Sequence, residues 1–302
     1  MNHDDMSERS TMLRRWSNQF ELNADYWKRL SAIIVVGGAT IFLLLTLHPD
    51  LIFRNNTPTG GDMGAHVWGP AFLRDHLLNH FRLAGWSMDW YAGLPVYRYY
   101  MVIPALFIVA LNIVLPYGIA IKIAAVIGIL TLPFCAWLFG RFARFAYPIP
   151  EMLAIAATIF LYDESFTIYG GNIASTMAGE FSFSISLSLS ILGFALVARG
   201  LETGKYLAAG SIVVALSALS HGIVLLFVFG GVALMMLFWI QPKLDGMRDN
   251  TSVVFGVKII GLAILLSAFW VIPFVTSHAY MTDMKYEPRP SGSSDSFWKL
   301  YF

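Results

Sequence analysis

Four long runs of apolar residues without a charged side chain constrain this fold more than any other feature. The runs are Leu30–Leu47, Ile123–Gly140, Phe181–Ala198 and Ile259–Thr276. A helix needs about 20 mostly apolar residues to cross the hydrocarbon core of a bilayer. Only 13% of the residues are charged, whereas soluble domains carry about 25%. The sequence therefore predicts an integral membrane protein.

Two other apolar regions complete the predicted bundle. Tyr206–Pro242 is uncharged and long enough for two spans, with a break near His221. Met152–Tyr162 is short, but its flanks extend it through Ile168. We interpret Met101–Leu115 as an interfacial or re-entrant helix on the outer side, because it is short and contains a proline. The prediction is an all-α fold, a polytopic bundle of about seven transmembrane helices with a long outer first loop that carries interfacial helices.

The distribution of charge orients this bundle and divides the chain. More than half of the 20 Lys and Arg residues lie on the inner side if the N-terminus is cytoplasmic, as the positive-inside rule requires. We expect a cytoplasmic segment at 1–29, a bundle at 30–276 with an outer loop at 49–118, and an outer-side loop at 277–302. The last five residues resemble the start of another element, which predicts that the chain is part of a longer protein. The net charge of +1 gives no indication of a nucleic-acid partner.

Serine alternates with Phe, Ile and Leu through Phe181–Ser190, a period of two that is typical of a β-strand. A lone strand cannot satisfy its backbone hydrogen bonds in lipid, so we predict a helix. On a helix, Ser182, Ser186 and Ser190 share one face, where small residues allow close packing. A polar substrate path along this face is the alternative. The single cysteine, Cys135, lies in an apolar segment and is expected to be a core residue.

Asp62 and His66 are the predicted catalytic pair. They lie four residues apart in the sequence GGDMGAH, within a polar, Trp-rich stretch that follows the first apolar run. A carboxylate and an imidazole just outside a bilayer suggest chemistry on a substrate held at the membrane surface. Asp62 would be a general base toward an acceptor hydroxyl or a metal ligand, or would instead cap a surface helix over Ala65–His80. The neighbouring glycines, which include Gly61 and Gly64, indicate either the close approach of a ligand or a tight turn.

Further acidic residues are predicted on the same side of the membrane. Asp163 and Glu164 follow the third span, and Glu180 opens the fourth. Together with Asp62, one or two of these carboxylates would hold Mg²⁺ or Mn²⁺, which prefer oxygen ligands. For Asp163 and Glu164 the alternative is that they are solvated loop charges.

Five residues are predicted to bind substrate. Arg74 and Arg98 suit a phosphate, because the arginine fork matches its oxygens, and pairing with a nearby aspartate is the alternative. Trp86 and Trp90 would stack on sugar rings or anchor the loop at the membrane interface. His221 ends the fifth span, where it would bind a phosphate, transfer a proton or form a hydrogen bond within the bundle.

Several short motifs of the first loop form a recognisable series: Gly61–His66 (GDMGAH), Arg74-Asp75, Gly85–Ser87 (GWS) and Asp89–Tyr91 (DWY), then Gly93 and Pro95. The series resembles the multispan bacterial proteins labelled "6-pyruvoyl-tetrahydropterin synthase-related", and the broader layout resembles the GT-C glycosyltransferases. That resemblance implies a polyprenyl-phosphate donor and an acid in the first outer loop, which Asp62 matches. It also implies acids after the third span, which Asp163 and Glu164 match.

The predicted function is a membrane glycosyltransferase that moves a sugar from a polyprenyl-phosphate donor to a cell-envelope acceptor on the outer face. Its partners would be the polyprenyl-phosphate lipid, a glycan acceptor, and a partner subunit or a missing C-terminal half. One alternative is a transporter or flippase for a lipid-linked or small polar substrate. The other is a non-catalytic subunit of an envelope-assembly complex.

Overall fold

The computed structural model describes residues 25–100, 102–164, 170–239 and 251–280. Within these ranges the chain is almost entirely helical, with one pair of short strands. The helices are α1 (Asp25–Thr46), α2 (Pro49–Ile52), α3 (Met63–Phe72), α4 (Ile103–Asn112), α5 (Tyr117–Phe142), α6 (Ile149–Leu161), α7 (Phe181–Thr203), α8 (Leu207–Ala218), α9 (Gly222–Trp239) and α10 (Thr251–Thr276). The strands are β1 (Gly85–Ser87) and β2 (Leu94–Val96).

Among the described residues, four helical segments are long and apolar enough to cross a membrane. These are α1, α5, the segment Ile173–Thr203 that contains α7, and α10. Each contains most or all of one predicted uncharged run. Shorter apolar helices are α4, α6, α8 and α9. The all-α prediction and the prediction of membrane helices are confirmed. The predicted extension of Met152–Tyr162 through Ile168 is wrong at Asp163 and Glu164, because the helix ends at Leu161 and these two residues are not helical. The rest of the extension, 165–168, lies outside the described residues, as do 1–24 and 281–302.

Helix α7 is the centre of the bundle and packs against α5, α8, α9 and α10. Its five alternating serines are all buried, so the prediction of a helix over a strand is confirmed. The Ser186 hydroxyl donates to the carbonyl oxygen of Ser217 on α8 at 2.7 Å, and the hydroxyls of Ser190 and Ser217 are 2.7 Å apart. On the α5 side, the Ser188 hydroxyl lies 3.3 Å from the sulfur of Cys135, which is buried as expected. These serines pack helices together.

The first loop and α4 cover one end of this bundle. Lys122, near the start of α5, donates to the carbonyl oxygen of Leu51 at 2.6 Å. The backbone amide of Ile103 donates to Leu219, which follows α8, at 3.3 Å. Near the end of α10, the indole N–H of Trp270 donates to the Tyr100 carbonyl oxygen at 3.0 Å. The loop therefore bridges the starts of some helices and the ends of others.

A two-stranded ribbon forms part of this cover. Strands β1 and β2 pair in antiparallel register, with Trp86 opposite Pro95. The turn between them includes Tyr91 and Ala92, both with positive φ. Only interfacial helices were predicted in this loop, so the ribbon is an addition to the predicted architecture.

The opposite end of the bundle carries a group of ion pairs around Glu202. Glu202 accepts from Arg199 at 2.9 Å and from Arg144, which follows α5, at 3.0 Å. Glu151, in the first turn of α6, is 5% exposed, and one of its carboxylate oxygens lies 3.4 Å from the indole nitrogen of Trp137. Its other oxygen, Oε2, is buried without a hydrogen-bond partner among the described residues.

Candidate functional site

A cavity of about 390 Å³ lies between the first loop, α4 and the start of α7. Its polar side chains are Asp62 and His66 from the loop, Tyr100 before α4, and Ser182 on α7. Its other walls are mainly aromatic and apolar, and they include Trp68, Trp90, Tyr97, Tyr99 and Phe181. The predicted catalytic pair thus lines one cavity at the loop-covered end of the bundle.

Asp62 is the residue before α3, and its exposed side chain reaches this cavity. Its carboxylate accepts no hydrogen bond from the first turn of α3, so the alternative of a capping aspartate is wrong. Its backbone amide instead donates to the carbonyl oxygen of Ala178 at 2.8 Å. The carboxylate therefore remains available for another role.

The contact between Asp62 and Ala178 depends on two glycines. Gly61 has a φ of +49°, and a Cβ at this position would overlap the carbonyl oxygen of Ala178. Gly179 has a φ of +130°, and its Cβ would lie 2.9 Å from the Cβ of Asp62. Of the two interpretations of these glycines, close approach holds for Gly61, but the approaching group is the chain itself. Two glycine turns, far apart in sequence, join the first loop to the start of α7.

His66 lies inside the cavity beside two carboxylates. Its ring packs edge-on against Phe181 at 4.9 Å and lies 5.8 Å from the ring of Tyr100. Burial lowers the pKa of His66 below its ordinary value of 6.5, while the charges of Glu180 and Asp62 act in the opposite direction. The imidazole is therefore neutral at pH 7, with one nitrogen able to donate and the other able to accept a hydrogen bond.

Tyr100 experiences the same two carboxylates. Loss of solvation raises the pKa of its phenol to about 12, and Glu180 and Asp62 contribute to the rise. A hydrogen bond with Ser182 opposes it. At neutral pH the phenol is protonated and can donate a hydrogen bond within the cavity. Nothing in the sequence pattern singled out Tyr100 or Ser182 for this site.

Glu180 lies between residues of the cavity and the bundle interior: its charge acts on His66, and its carboxylate lies beside His221. Its carboxylate oxygen Oε2 lies 3.7 Å from Nε2 of His221. His221 follows α8, is 8% exposed and packs its ring against Phe183 at 5.1 Å. Its Nδ1 has no hydrogen-bond partner among the described residues. His221 therefore contacts Glu180 on the side of the bundle interior, and the cavity lining includes neither residue.

The predicted metal ligands are only partly brought together. Asp62 and Glu180 act on the same imidazole, as described above. Asp163 and Glu164 follow α6, and the cavity lining includes neither of them. The backbone carbonyl of Asp163 accepts from the side-chain amide of Asn172 at 2.7 Å. No three His, Cys, Asp or Glu residues of the described ranges are grouped closely enough to hold a metal ion. The Mg²⁺ or Mn²⁺ site stays a prediction.

Arg74 is engaged in structural contacts. Its guanidinium forms two hydrogen bonds of 2.7 Å with the carboxylate of Asp75 and donates to the amide oxygen of Asn112 at 2.7 Å. It also lies over the ring of Tyr117, 5.2 Å from the centroid. This arrangement agrees with the alternative of aspartate pairing and ties the loop to α4 and α5.

The two predicted tryptophans differ in position. Trp90 lines the cavity and stacks on Trp68, with 5.6 Å between the ring centroids. A hydrogen bond fixes the position of Trp68, because its indole N–H donates to the carboxylate of Asp89 at 3.1 Å. Trp86 is 63% exposed on β1 and is not part of the cavity lining. The aromatic platform of the cavity is therefore the pair of Trp68 and Trp90.

Arg98 lies at a second, smaller cavity of about 180 Å³. Its guanidinium donates through Nε and Nη2 to the hydroxyl of Ser277, at 3.2 and 2.9 Å. Tyr97 lines both cavities and separates them.

No protein-family model, curated protein or solved structure matches the chain.

Proposed function

We propose that the protein is a membrane glycosyltransferase that moves a sugar from a polyprenyl-phosphate donor to a cell-envelope acceptor on the outer face. The observation that carries this proposal is the hydrogen bond from the Asp62 amide to Ala178. It brings an exposed carboxylate and a neutral imidazole to one aromatic cavity at the end of a bundle of apolar helices, and the charge of a second carboxylate, Glu180, acts on that imidazole. The resemblance of the broader layout of the chain to GT-C glycosyltransferases supports the same proposal.

The membrane topology proposed with this function has seven passes and a cytoplasmic N-terminus. The passes are α1, α5, α6, α7, α8, α9 and α10. In support, the end of α1 meets the end of α6, where the hydroxyls of Thr46 and Tyr162 are 2.8 Å apart. The first loop meets the starts of α5 and α7 and the end of α10. This is the alternation that seven antiparallel passes require, and it leaves α4 as an interfacial helix.

In the proposed reaction, Asp62 acts as the general base. It accepts the proton of an acceptor hydroxyl as that oxygen bonds to the anomeric carbon of the donor sugar. The bond between this carbon and the phosphate oxygen breaks, and polyprenyl phosphate leaves with the electron pair. His66 and Tyr100 orient the acceptor by hydrogen bonds, and the Trp68–Trp90 pair stacks on a sugar ring. If a divalent cation takes part, Asp62 and Glu180 are the proposed carboxylates that hold it.

The experiment compares Asp62→Asn with wild type in transfer of a radiolabelled sugar from polyprenyl phosphate, with and without Mg²⁺ or Mn²⁺. We expect at least a 100-fold loss of rate, because a general base contributes about 10²–10⁴-fold. Asp50→Asn is the matched control, since Asp50 is an exposed loop carboxylate whose partner is Arg54, at 3.4 Å. Full transfer by a normally folded Asp62→Asn protein would refute the assignment of Asp62. No transfer by wild type would refute the enzyme proposal.

A further inference from the structure

The cavity beside Arg98 has the layout of a lipid-phosphate site. We infer that it binds the phosphate of a phosphate-headed lipid, with the first part of the hydrocarbon chain against α10. This inference rests on the proposed function in one respect, that the lipid is the polyprenyl phosphate of the donor. It places the lipid in a cavity separate from the one that Asp62 and His66 line, which we call the acid cavity.

The polar end of the cavity supplies an arginine suited to phosphate. Two of the Arg98 nitrogens are fixed by the buried Ser277, which limits the movement of the guanidinium. Its remaining N–H groups have no carboxylate within ion-pair distance among the described residues, in contrast to the Asp75-paired Arg74. An arginine fixed in this way keeps its charge and loses little side-chain entropy when it binds a phosphate. Arg98 is therefore the better phosphate ligand of the two predicted arginines.

The apolar walls continue from this arginine toward the lipid. They are formed by Leu83, Ala84 and Val102 from the loop side and by Phe269 and Pro273 of α10. Phe269 lies seven residues before Thr276, the last residue of α10, which is about 10 Å along a helix axis. In the proposed orientation, Ser277 and Arg98 are at headgroup level and Phe269 is within the hydrocarbon. A polar end at the interface and apolar walls below it match an amphiphile that enters from the bilayer.

The cavity is also accessible from the lipid side. Phe269 is 50% exposed, and its neighbours Ile272 and Val275 on α10 are 60% and 63% exposed. Apart from Arg98, no charged side chain of the described residues lines the cavity or belongs to this apolar surface of α10, so a lipid chain can enter from α10. Free phosphate would gain nothing from these apolar walls. The structure thus favours a phosphate that carries a chain over an inorganic anion.

Charge separates this cavity from the first one. Asp62 and Glu180 act on the acid cavity, where a phosphate would be repelled, while no acid of the described ranges lines the Arg98 cavity. Tyr97 is the common wall, and its side chain packs against Gly69 of α3. If Arg98 holds the phosphate of the donor, the side chain of Tyr97 would therefore separate the donor sugar from the acceptor in the acid cavity. Donor lipid and acceptor would occupy neighbouring cavities of opposite charge.

The test measures binding of decaprenyl phosphate to the purified full chain in detergent, with wild type, Arg98→Gln, Arg98→Lys and Arg54→Gln. We expect Arg98→Gln to weaken binding by about tenfold or more, because a charge-assisted hydrogen bond is lost. Arg98→Lys should recover part of it, and Arg54→Gln should bind like wild type. Ala84→Phe, which narrows the cavity and keeps the arginine, should also weaken binding. A decaprenyl phosphate with a photoreactive group near the phosphate should label Leu83–Ala84 or Phe269.

Four results would overturn the inference. These are unchanged binding by Arg98→Gln, equal binding of decaprenol without its phosphate, equal competition by inorganic phosphate, and labelling confined to Trp68 and Trp90. Equal competition by phosphatidylglycerol vesicles would overturn the polyprenyl assignment, because any lipid phosphate would then suffice. If binding depends on Arg98 but no sugar is transferred, the lipid site stands and the glycosyltransferase proposal fails.

Discussion

The backbone amide of Asp62 lies 2.8 Å from the carbonyl oxygen of Ala178 and donates a hydrogen bond to it. This bond spans more than a hundred residues of sequence and joins the first loop to the turn before α7. It positions Asp62 and Glu180 around His66, and the whole candidate site depends on it. The bond is possible because neither Gly61 nor Gly179 carries a side chain.

Gly61→Ala is predicted to disrupt the site. The new Cβ would overlap the Ala178 carbonyl oxygen, and the residue would keep a left-handed φ of +49°. The left-handed conformation alone costs about 1–2 kcal/mol for a residue with a Cβ. We expect a lower melting temperature in detergent and at least a tenfold loss of the activity that depends on Asp62. Gly64→Ala is the control, since Gly64 lies in α3 with open space around its Cβ position and no positive φ. Equal behaviour of the two variants would contradict the proposed role of the Asp62–Ala178 contact.

His66 is predicted to make the stability of the protein depend on pH. Its pKa in the folded protein is below 6.5, chiefly through burial, so between that lower pKa and about 6.5 the unfolded chain binds more protons than the folded protein. The contribution of neutral His66 to the free energy of unfolding is fully present above about pH 6.5, and it is lost as the pH falls toward the pKa of His66 in the folded protein. We expect the melting temperature of wild type to rise between about pH 5 and 7 more steeply than that of His66→Gln. Parallel curves for the two proteins would refute this role of His66.

The charge of Asp62 should also change the pKa of His66. Its charge raises the imidazole pKa, so Asp62→Asn should move the His66 pKa further down. Histidine-labelled NMR, with His66→Gln to assign the resonance, measures this shift. Asp50→Asn should leave the resonance unchanged. An unchanged pKa of His66 in Asp62→Asn would mean that this carboxylate does not act on His66.

Much of the fold could be predicted because lipid allows few structures. The uncharged runs had to be helices, and this argument identified α7 correctly although its serines alternate with the period of a strand. Strands β1 and β2 were missed because each has three residues, too few for a period of two to be recognised. Their pairing depends on the turn around Tyr91 and Ala92, whose positive φ values have no sequence signal.

Less of the site could be predicted. The pair of Asp62 and His66 was predicted because a carboxylate and an imidazole lie four residues apart just after the first apolar run. Glu180 was predicted on the same side of the membrane as Asp62, but its position beside His66 could not be inferred, since it depends on the contact of Gly61 with Ala178. The bidentate pairing of Arg74 with Asp75 stayed one of two alternatives, because adjacent residues of opposite charge need not meet.

Glu151→Gln is predicted to leave the protein as stable as wild type or more stable. The Oε2 atom of Glu151 is buried without a hydrogen-bond partner among the described residues, and a neutral amide is less costly to bury than a carboxylate. Gln keeps an oxygen for Trp137. Glu202→Gln, by contrast, weakens ion pairs with Arg144 and Arg199 and should lower stability by about 0.5–1 kcal/mol. Thermal unfolding in detergent compares the two, and a clear loss in Glu151→Gln would show that its charge is needed.

Ser217→Ala is predicted to loosen the contact of α7 with α8. The Ser217 hydroxyl lies 2.7 Å from that of Ser190 and 3.1 Å from the carbonyl oxygen of Ser186. Bonds of this kind between membrane helices contribute about 0.6 kcal/mol each, so we expect a loss of about 1 kcal/mol. Ser211→Ala is the control, because the Ser211 hydroxyl donates to Leu207 within its own helix. A transport defect with unchanged stability would instead favour a polar path along α7.

The seven-pass topology is predicted to require that α6 crosses the membrane. This helix has 13 residues, about 20 Å, so it needs its flanks or a thinner bilayer to cross. If α5, α6 and α7 all cross, Met88 and Lys205, both exposed, face opposite sides of the membrane. In a Cys135→Ser background, an impermeant maleimide should label Met88→Cys on intact cells and Lys205→Cys only after permeabilisation. Labelling of both on intact cells would mean that only two of the three helices cross, and the short α6 is then the one that does not.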